Sequence, residues 1–515
     1  MKSRQIINIV NFIRTARHAD GESDSVYAEI VKKQIALMQK HGLRGTFLFQ
    51  YDALLDPAYT EPFRAVDPDQ FELGVWLEIV RPQVEAAGGV WKSHRMWDWH
   101  SCHCMPAGYP VELRPKLADV QYEKFRERFG YYPRVCGAWC LDTVTTRHIC
   151  EKYGADAFCN CKEQYGTDGY TLWGSYYGQG YYPSKINQFM PAQTREMQLD
   201  APIFRMLGSD PVYQYDFGLS IDGGADGCQK VISLEPVYTG SAGGGGVPAW
   251  VDWYIKENFN GDCLSFGYAQ AGQENTFGWE KMKGGLEYQF PLFRKLQDEG
   301  KIVCETLGES GRAFKAAYDM TPASAITAHT AFDDPEKSSV WYSCKNYRVN
   351  LYTDHGTFRI RDVHVFDERL PDAYEPAICP GNDIVYETLP WIDGNRHSGN
   401  GVLAGGYLRL ADGSEPVCGE PVFTDEGGGC ASVDYGPIRV TLTEDAVTIE
   451  ADGDFTLDVR AGTASHMPEK ALAGDTLTLT HAGARYTVRA ETGHFVDADH
   501  AASENGRLTL VIANA

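Results

Sequence analysis

The sequence predicts an α/β protein in which a (β/α)7–8 barrel is followed by an antiparallel β-sandwich. Up to about residue 310, short apolar runs alternate with segments of helical periodicity. Beyond roughly residue 320, apolar and polar residues alternate at period two, with Gly, Asp and Asn at the turns. At 515 residues, the chain is also too long for one ordinary core. We therefore expect a catalytic barrel over residues 1–315 and a sandwich over residues 316–515.

The barrel strands are predicted from apolar runs, at residues 7–13, 45–51, 71–79, 135–142, 157–163, 231–238, 262–272 and 302–309. Helices are predicted between them, at residues 25–42, 110–130, 145–154, 250–259 and 283–300. Right-handed crossovers between parallel strands close most naturally into a barrel. The glycine-rich segment 240–249 follows a predicted strand, which suggests a mobile lid.

The predicted sandwich strands include the runs SSVWYSCKNYRVNLYT, GTFRIRDVHVF, IRVTLTEDAVTIEA and RLTLVIAN. No helix signal interrupts them, so about 200 residues of antiparallel sheet are expected to pack against the barrel.

The amino-acid composition limits the classes of molecule that the protein can bind. A formal charge of −23 argues against nucleic acid or an anionic membrane surface, because either would need a basic face. No apolar run is long enough to span a bilayer, and the N-terminal segment is interpreted as a first strand rather than a signal peptide. We expect a cytoplasmic protein whose partner is a carbohydrate, and homo-oligomer formation is left open.

Catalytic candidates come from the carboxyl ends of the predicted strands, where β/α barrels place their active sites. The acidic side chains at these ends are Glu78, Asp142, Glu235 and Glu274. Glycoside cleavage needs two carboxyl groups, one as acid and one as nucleophile or base. A structural role is the alternative for each: Glu78 or Glu235 could close a salt bridge, and Asp142 could cap the next helix.

Rings and amides at the same end predict a sugar-binding cleft, since rings pack on the C–H face of a sugar and amides bind its hydroxyls. Nine of the eleven tryptophans lie at or before residue 279. The substrate-binding candidates are Trp76, Trp97, Asp98, Trp99, His100, Trp139, Lys162, Gln164, Trp173, Gln270 and Trp279. The Tyr- and Gly-rich segment 160–185 is predicted to present rings at the barrel mouth or to pack under the sandwich.

The stretch MWDWHSCHCM, residues 96–105, has enough polar groups for a metal site and enough ring surface for a sugar platform. Its H-x-x-H and C-x-C spacings match no metal motif expected of this fold, and no C-x-x-C knuckle accompanies them. We therefore expect Trp97 and Trp99 to form a substrate wall. No metal and no other cofactor is expected, although a divalent metal stays the alternative.

The layout of VNFIR, GTFLF, ELGVWLEI and GAWCLD, over about residues 5–310, resembles the glycoside hydrolase/deacetylase barrels. This superfamily includes NodB-type polysaccharide deacetylases, family-38 α-mannosidases and family-57 α-glucan-acting glycosidases. The stretches NIVNFIR, WDWH, CNCKEQYGTDGYTLWG and AQAGQENTFGW also resemble a narrower group of bacterial proteins, which implies no activity.

The departures from these patterns weigh against a metal enzyme. The deacetylases have an Asp-Asp pair ending strand one and an H-x-x-x-H motif, whereas strand one here ends in Arg14 and no such motif lies nearby. His18-Ala19-Asp20 does match the H-x-D spacing of the zinc-dependent mannosidases. By position, the resemblance to the family-57 enzymes implies Asp142 as nucleophile and Glu274 as acid, although the family nucleophile is a glutamate.

The resulting hypothesis is a glycoside hydrolase that cleaves an oligosaccharide or small glycoside with paired carboxylates. Asp142 is the expected nucleophile or base and Glu274 the expected acid, with Glu78 and Glu235 as substitutes. Two alternatives stay open: a metal-dependent carbohydrate hydrolase, either deacetylase or mannosidase-like, and a non-catalytic sugar-binding protein.

Overall fold

The computed structural model describes residues 3–15, 25–161, 163–216, 231–463 and 466–514. The first part is an α/β unit with strands β1 Arg4–Ile13, β2 Gly45–Phe49, β3 Phe71–Trp76, β4 Val135–Gly137, β5 Ala157–Cys161, β6 Ile203–Met206, β7 Phe266–Ala271 and β8 Val303–Glu305. Its helices are α1 Ser25–His41, α2 Tyr51–Leu55, α3 Pro57–Thr60, α4 Arg81–Ala86, α5 Ser101–Cys104, α6 Arg114–Phe129, α7 Thr143–Tyr153, α8 Pro248–Asn258, α9 Trp279–Asp298 and α10 Leu307–Ala317.

The strands form a parallel sheet in the order β7-β1-β2-β3-β4-β5-β6, and β8 also pairs with β1. Within the described residues, no backbone ladder joins the end strands β6 and β7. Gln179 bridges them instead: its backbone oxygen accepts from Arg205 N of β6, and its side-chain amide donates to Phe266 O of β7. The α/β class is confirmed, and closure into a complete barrel stays a prediction.

The sheet is buried on both faces, as the near-continuous apolar runs predict. Ile7 and Ile9 of β1 pack in the cluster that includes the surrounding helices, whereas Ile6 and Val10 pack in the second cluster inside the curved sheet. Because parallel strands share one direction, the residues that follow β1, β3 and β7 emerge at the same end of the sheet.

Most of the predicted helices and strands are found, but the prediction of one strand is wrong. Residues 231–238 form turns rather than a strand, apart from an isolated bridge between Ser233 and Ser209. Pro236 interrupts this run and cannot donate a ladder hydrogen bond. The strand β6 takes the corresponding place in the sheet. Because it is only four residues long, its sequence shows no periodic pattern.

The C-terminal part consists of two antiparallel sheets. In order across the first sheet, the strands are Ser324–Ala328, Lys337–Ser343, Tyr347–Asp354, Thr357–Val365, Gly405–Leu410, Phe455–Arg460, His500–Ala502 and His494–Phe495, with Leu389–Asp393 beside Thr357–Val365. The second sheet contains Val422–Gly427, Cys430–Asp434, Ile438–Leu442, Ala446–Ala451, Arg507–Asn514, Ala484–Thr492, Thr476–His481 and Glu469–Ala473. The tyrosine hydroxyls of Tyr347 and Tyr486 donate across to Thr443 O and Pro390 O, at 2.6 Å each.

The two parts of the chain are joined by a shared three-stranded sheet. The hairpin Gln164–Thr167/Tyr170–Leu172 leaves the α/β unit and pairs in parallel with Ile384–Tyr386. The short strands Pro183–Ser184 and Asn187–Pro191 form a second hairpin beside it. The predicted domain boundary at 315/316 falls within α10, between the last strand of the first sheet and the first strand of the second.

None of the helices in the described ranges combines the length and apolarity that a bilayer-crossing segment requires.

Candidate functional site

A cavity of about 240 Å³ lies at the carboxyl ends of the parallel strands. It is smaller than the roughly 300–1,000 Å³ of sites for drug-sized ligands, so it suits one small ring rather than a long chain. Its lining among the described residues comprises Arg14, Glu78, Trp97, Trp99, Cys104, Met105, Trp139, Gln164, Asp168, Tyr170, Leu207, Glu235, Tyr238, Glu274 and Phe277.

Arg14 links two of the lining carboxylates. It follows β1 directly and is 7% exposed. Its Nη1 lies 2.5 Å from Glu274 Oε2, and its Nε and Nη2 lie 3.1 and 3.2 Å from the two oxygens of Glu78. This forked contact uses the planar geometry of a guanidinium, which a lysine could not reproduce. Glu274 also accepts a hydrogen bond from the hydroxyl of Thr276 at 2.6 Å.

Glu78 is fixed on every side. It is two residues beyond β3, where the indole N–H groups of Trp76 and Trp97 donate to its two oxygens at 3.0 and 2.7 Å. Burial raises the pKa of Glu78, and Arg14 opposes that rise. With both oxygens taken by indoles and by Arg14, Glu78 acts as a support that holds the guanidinium in place.

Glu235 occupies a different environment. Its two oxygens accept from Ser233 Oγ at 3.0 Å and from Gln273 Nε2 at 3.1 Å, and none of the described cations contacts it. Burial raises the pKa of Glu235 to about 7, and the negative charges of Glu274 and Asp168 add to the effect. The carboxyl group is therefore substantially protonated near neutral pH.

The glycine-rich loop that was predicted to be a lid holds Glu235 in place. The amide N–H of Gly245 donates to Ser233 O at 2.8 Å, and that of Gly246 donates to Tyr238 O at 2.9 Å. A Cβ atom on Gly245 would lie 2.1 Å from Leu234 O, so only glycine allows this close approach. The loop is packed against the 233–238 turn and is not free to act as a lid in this conformation.

The tip of the first hairpin forms another wall of the cavity. Asp168 and Gly169 connect its strands with φ angles of 55° and 78°, the two positive values of a type I′ turn. Asp168 lines the cavity from this tip; its side chain is exposed overall, but partial desolvation of the carboxyl group, together with the negative charge of Glu274, raises its pKa. Tyr170 follows on the same hairpin and also lines the cavity.

The aromatic walls confirm part of the predicted platform. Trp97, Trp99 and Trp139 line the cavity, and Trp99 is 43% exposed, with its ring stacked on His100 at 4.0 Å. Trp97 also lies under the Arg14 guanidinium, 4.5 Å from its ring centroid. The stretch 96–105 therefore presents two indoles to the cavity.

Asp142 is placed elsewhere. It is 1% exposed and does not line the cavity. Its carboxylate accepts from the backbone N–H of Thr145 at 3.0 Å, as the N-cap of α7, and lies 3.7 Å from Arg114 Nη1. The alternative reading of this residue as a helix cap fits its position, and we withdraw it from the catalytic candidates.

Six other predicted binding residues lie outside the cavity lining. Trp76 is buried beneath it, and Gln270 is buried inside the sheet beside Tyr268. Asp98 accepts a hydrogen bond from His100 Nδ1 at 2.6 Å, so these two side chains bind each other. The remaining two are Trp173, whose indole donates to Asp393 at 2.7 Å, and Trp279, which packs beside Lys33.

Lys162, His18 and Asp20 lie outside the described residues. The role of the H-x-D triplet therefore stays a prediction. Within the described ranges, the acidic and histidine groups close enough to hold a metal ion are Asp334, Asp354 and His355, in the C-terminal part. The structure describes no such group in the stretch 96–105, where Cys104 lines the cavity as a thiol whose pKa is raised by burial.

Sequence reasoning missed Arg14, Asp168, Tyr170 and Tyr238. The dipeptide Asp168-Gly169 is the strongest short hairpin signal, and it was overlooked inside a segment interpreted as one long loop. Arg14 directly follows β1, but its place in the sequence was interpreted only as a departure from a metal motif. Tyr238 lies in the run wrongly predicted as a strand, so its direction could not be inferred.

No protein-family model matches the sequence, and no curated protein matches it. Among solved structures, a candidate glycoside hydrolase/deacetylase from Parabacteroides distasonis is similar over 75% of this chain and 90% of its own, with 15% identity and a TM-score of 0.56. A GH57-type branching enzyme from Pyrococcus horikoshii matches over 62% of this chain and 70% of its own, with 11% identity and a TM-score of 0.33, too low to carry an argument. At 15% identity, the likeness to the Parabacteroides distasonis structure is one of fold alone.

Proposed function

We propose that the protein is a glycoside hydrolase in which Glu235 is the general acid and Glu274 the nucleophile or base. The observation that supports this most is the contrast between the two carboxyl groups on one ring-lined cavity. Glu235 has no described cation beside it and a pKa raised to about 7, whereas Glu274 is paired with Arg14. Glycoside cleavage needs one carboxyl group as acid and a second as nucleophile or base, and the different surroundings of Glu235 and Glu274 support that division of roles.

Glu235 is suited to donate a proton to the leaving oxygen. A pKa close to the working pH keeps the acid protonated and still allows transfer in the transition state. Ser233 and Gln273 hold the carboxyl group by hydrogen bonds without adding a charge. Once the proton has left, the amide of Gln273 and the hydroxyl of Ser233 can stabilise the carboxylate.

Glu274 is suited to the opposite role. The donors from Arg14 and Thr276 orient its carboxylate at the cavity wall. In this arrangement it can attack the anomeric carbon or activate water, and it stabilises positive charge that develops on the sugar ring. This reverses the sequence-based assignment, in which Glu274 was the acid.

Arg14 and Glu78 position this machinery. Glu78 and the ring of Trp97 hold the guanidinium in place. The guanidinium therefore orients the carboxylate of Glu274 without moving toward the substrate. The surrounding indoles provide flat apolar surface for a sugar ring.

Hydrolysis of a panel of aryl glycosides and plain oligosaccharides, with and without chelator, tests the proposal. Glu235→Gln should lose roughly 100-fold or more of kcat/KM on substrates with poor leaving groups and much less on nitrophenyl glycosides, which need little acid assistance. Glu274→Gln should lose activity on both kinds of substrate. NMR of the first product anomer assigns Glu274 as nucleophile, by retention, or as base, by inversion.

Glu72→Gln is the matched control. Glu72 is a half-buried glutamate whose pKa is also raised by burial, but it accepts from Gly308 N at 2.8 Å and Thr46 Oγ1 at 3.1 Å and does not line the cavity. Its substitution should leave the leaving-group dependence unchanged. Equal losses for Glu235→Gln on good and poor leaving groups would contradict the acid role, and activity abolished by chelator would favour the metal-dependent alternative.

A further inference from the structure

We propose that the cavity selects a sugar unit that carries a protonated amino group, so that the substrate is an amino-sugar glycoside. The inference deepens the proposed function and rests on it, because it names the substrate class of the same cavity. It starts from the charges and hydrogen-bonding groups that line the cavity.

The carboxyl groups outnumber the cations. Among the described lining residues, Glu78, Asp168, Glu235 and Glu274 face a single cation, Arg14. Arg14 already pairs with two of these groups, since Nη2 donates to Glu78 and Nη1 donates to Glu274. Even with Glu235 protonated, the described lining is left with a negative charge that a ligand cation would balance.

One hydrogen-bonding group of the lining is an acceptor without a donor. Gln164 is 5% exposed, lines the cavity, and its Oε1 has no hydrogen-bond donor. The indole N–H of Trp97 is already donated to Glu78. Gln164 Oε1 is therefore an acceptor open to a donor on the ligand, and an ammonium group brings three donors and a positive charge.

The aromatic walls favour the same ligand. Trp99 and Tyr238 line the cavity, and their ring faces attract cations. A carboxylate or phosphate on the sugar would meet the described carboxylates without a free cation to pair with, so uronic acids and sugar phosphates should be rejected.

Asp168 is the residue expected to determine this specificity. It lies at the hairpin tip, outside the Arg14 network, and its φ of 55° is a left-handed value that Asn adopts as readily as Asp. Asp168→Asn therefore removes one charge without straining the turn. Asp383→Asn is the matched control, because Asp383 is exposed next to the strand that pairs with this hairpin and does not line the cavity.

The test compares nitrophenyl glycosides that share configuration and anomer and differ in one group: free amine, hydroxyl, N-acetyl and carboxylate. At pH 6, the wild type should prefer the amine over the hydroxyl by roughly 10- to 100-fold in kcat/KM, as expected for one charge-assisted hydrogen bond. Asp168→Asn should reduce this preference about tenfold or more, and Asp383→Asn should not. Binding of free glucosamine, glucose and glucuronic acid to Glu235→Gln is measured in parallel by calorimetry.

The outcomes separate the inference from the proposed function. If glycosides are cleaved and the amine is not preferred, the inference is overturned and the hydrolase assignment stands. If no glycoside is cleaved but glucosamine binds more tightly than glucose, and Asp168→Asn abolishes the difference, the charge selectivity stands and the hydrolase assignment fails. An amine preference that survives Asp168→Asn overturns the role of Asp168.

Discussion

Replacing Glu235 with glutamine should change how the stability of the protein depends on pH. The folded state holds the pKa of Glu235 at about 7, compared with an ordinary value of 4.5. Between these two pH values the folded chain keeps a proton that the unfolded chain has released, so the free energy of unfolding falls as pH rises. Below pH 4.5 both states are protonated and the effect is absent.

The magnitude follows from the same difference. Each pKa unit corresponds to about 1.4 kcal/mol, so ionised Glu235 should destabilise the wild type by about 3 kcal/mol at pH 8. Glutamine resembles the protonated carboxyl group in shape and has no charge to bury. Gln273 can accept its N–H through Oε1, which lacks a partner in the wild type. Glu235→Gln should thus match the wild type at pH 4.5 and exceed its stability by about 3 kcal/mol at pH 8.

Equilibrium urea unfolding of both proteins at several pH values between 4.5 and 8 measures this difference. Other carboxyl groups titrate in both proteins, so the difference between the two curves isolates Glu235. Parallel curves, or a variant that loses stability relative to the wild type as pH rises, would refute the raised pKa and with it the assignment of the acid. In the wild type, kcat/KM should also fall above pH 7 as Glu235 ionises.

Three further substitutions test the architecture of the site, and a fourth, Gly284→Ala, is the control for the glycine change. Arg14→Met leaves two buried carboxylates unpaired and should reduce the free energy of unfolding by about 3–5 kcal/mol in urea melts. Asp142→Ala removes a helix cap and the carboxylate 3.7 Å from the buried Arg114, so it should cost at least about 2 kcal/mol of stability, while kcat/KM of the folded protein stays unchanged. Gly245→Ala should lower kcat by displacing the Glu235 turn, because its Cβ would lie 2.1 Å from Leu234 O. Gly284→Ala, an open position in α9, should instead raise the thermal midpoint.

Rules that depend on local sequence predicted much of the site. Glu78 and Glu274 were found because parallel strands deliver their following residues to one end of the sheet. Glu235 was found by the same rule, although the segment before it is not a strand. An apolar run that leads to the cavity has the same sequence pattern as a short strand. Asp142 met the rule equally well, but strand ends and helix caps coincide in a β/α connection, and only the direction of the side chain separates them.

Residues whose role depends on distant parts of the chain could not be predicted. Trp173 looked like a cleft residue, but its indole is buried against Asp393, a contact that spans 220 residues. The hairpin signal at Asp168 was present, yet its direction over the cavity depends on pairing with the strand Ile384–Tyr386. The position of Arg14 between Glu78 and Glu274 likewise requires three strands to be assembled first.

Two walls of the cavity, the hairpin and the stretch 96–105, contact the same segment of the C-terminal part. Ile384 N–H donates to Gly169 O at 3.0 Å, which fixes the hairpin that carries Asp168. Asn382 O accepts from Ser101 N at 3.0 Å, which anchors the stretch carrying Trp97 and Trp99. The charged wall and the aromatic wall are therefore spaced by the same few residues. The segment 382–386 is therefore a structural part of the cavity, because it anchors both the hairpin that carries Asp168 and the stretch that carries the two indoles.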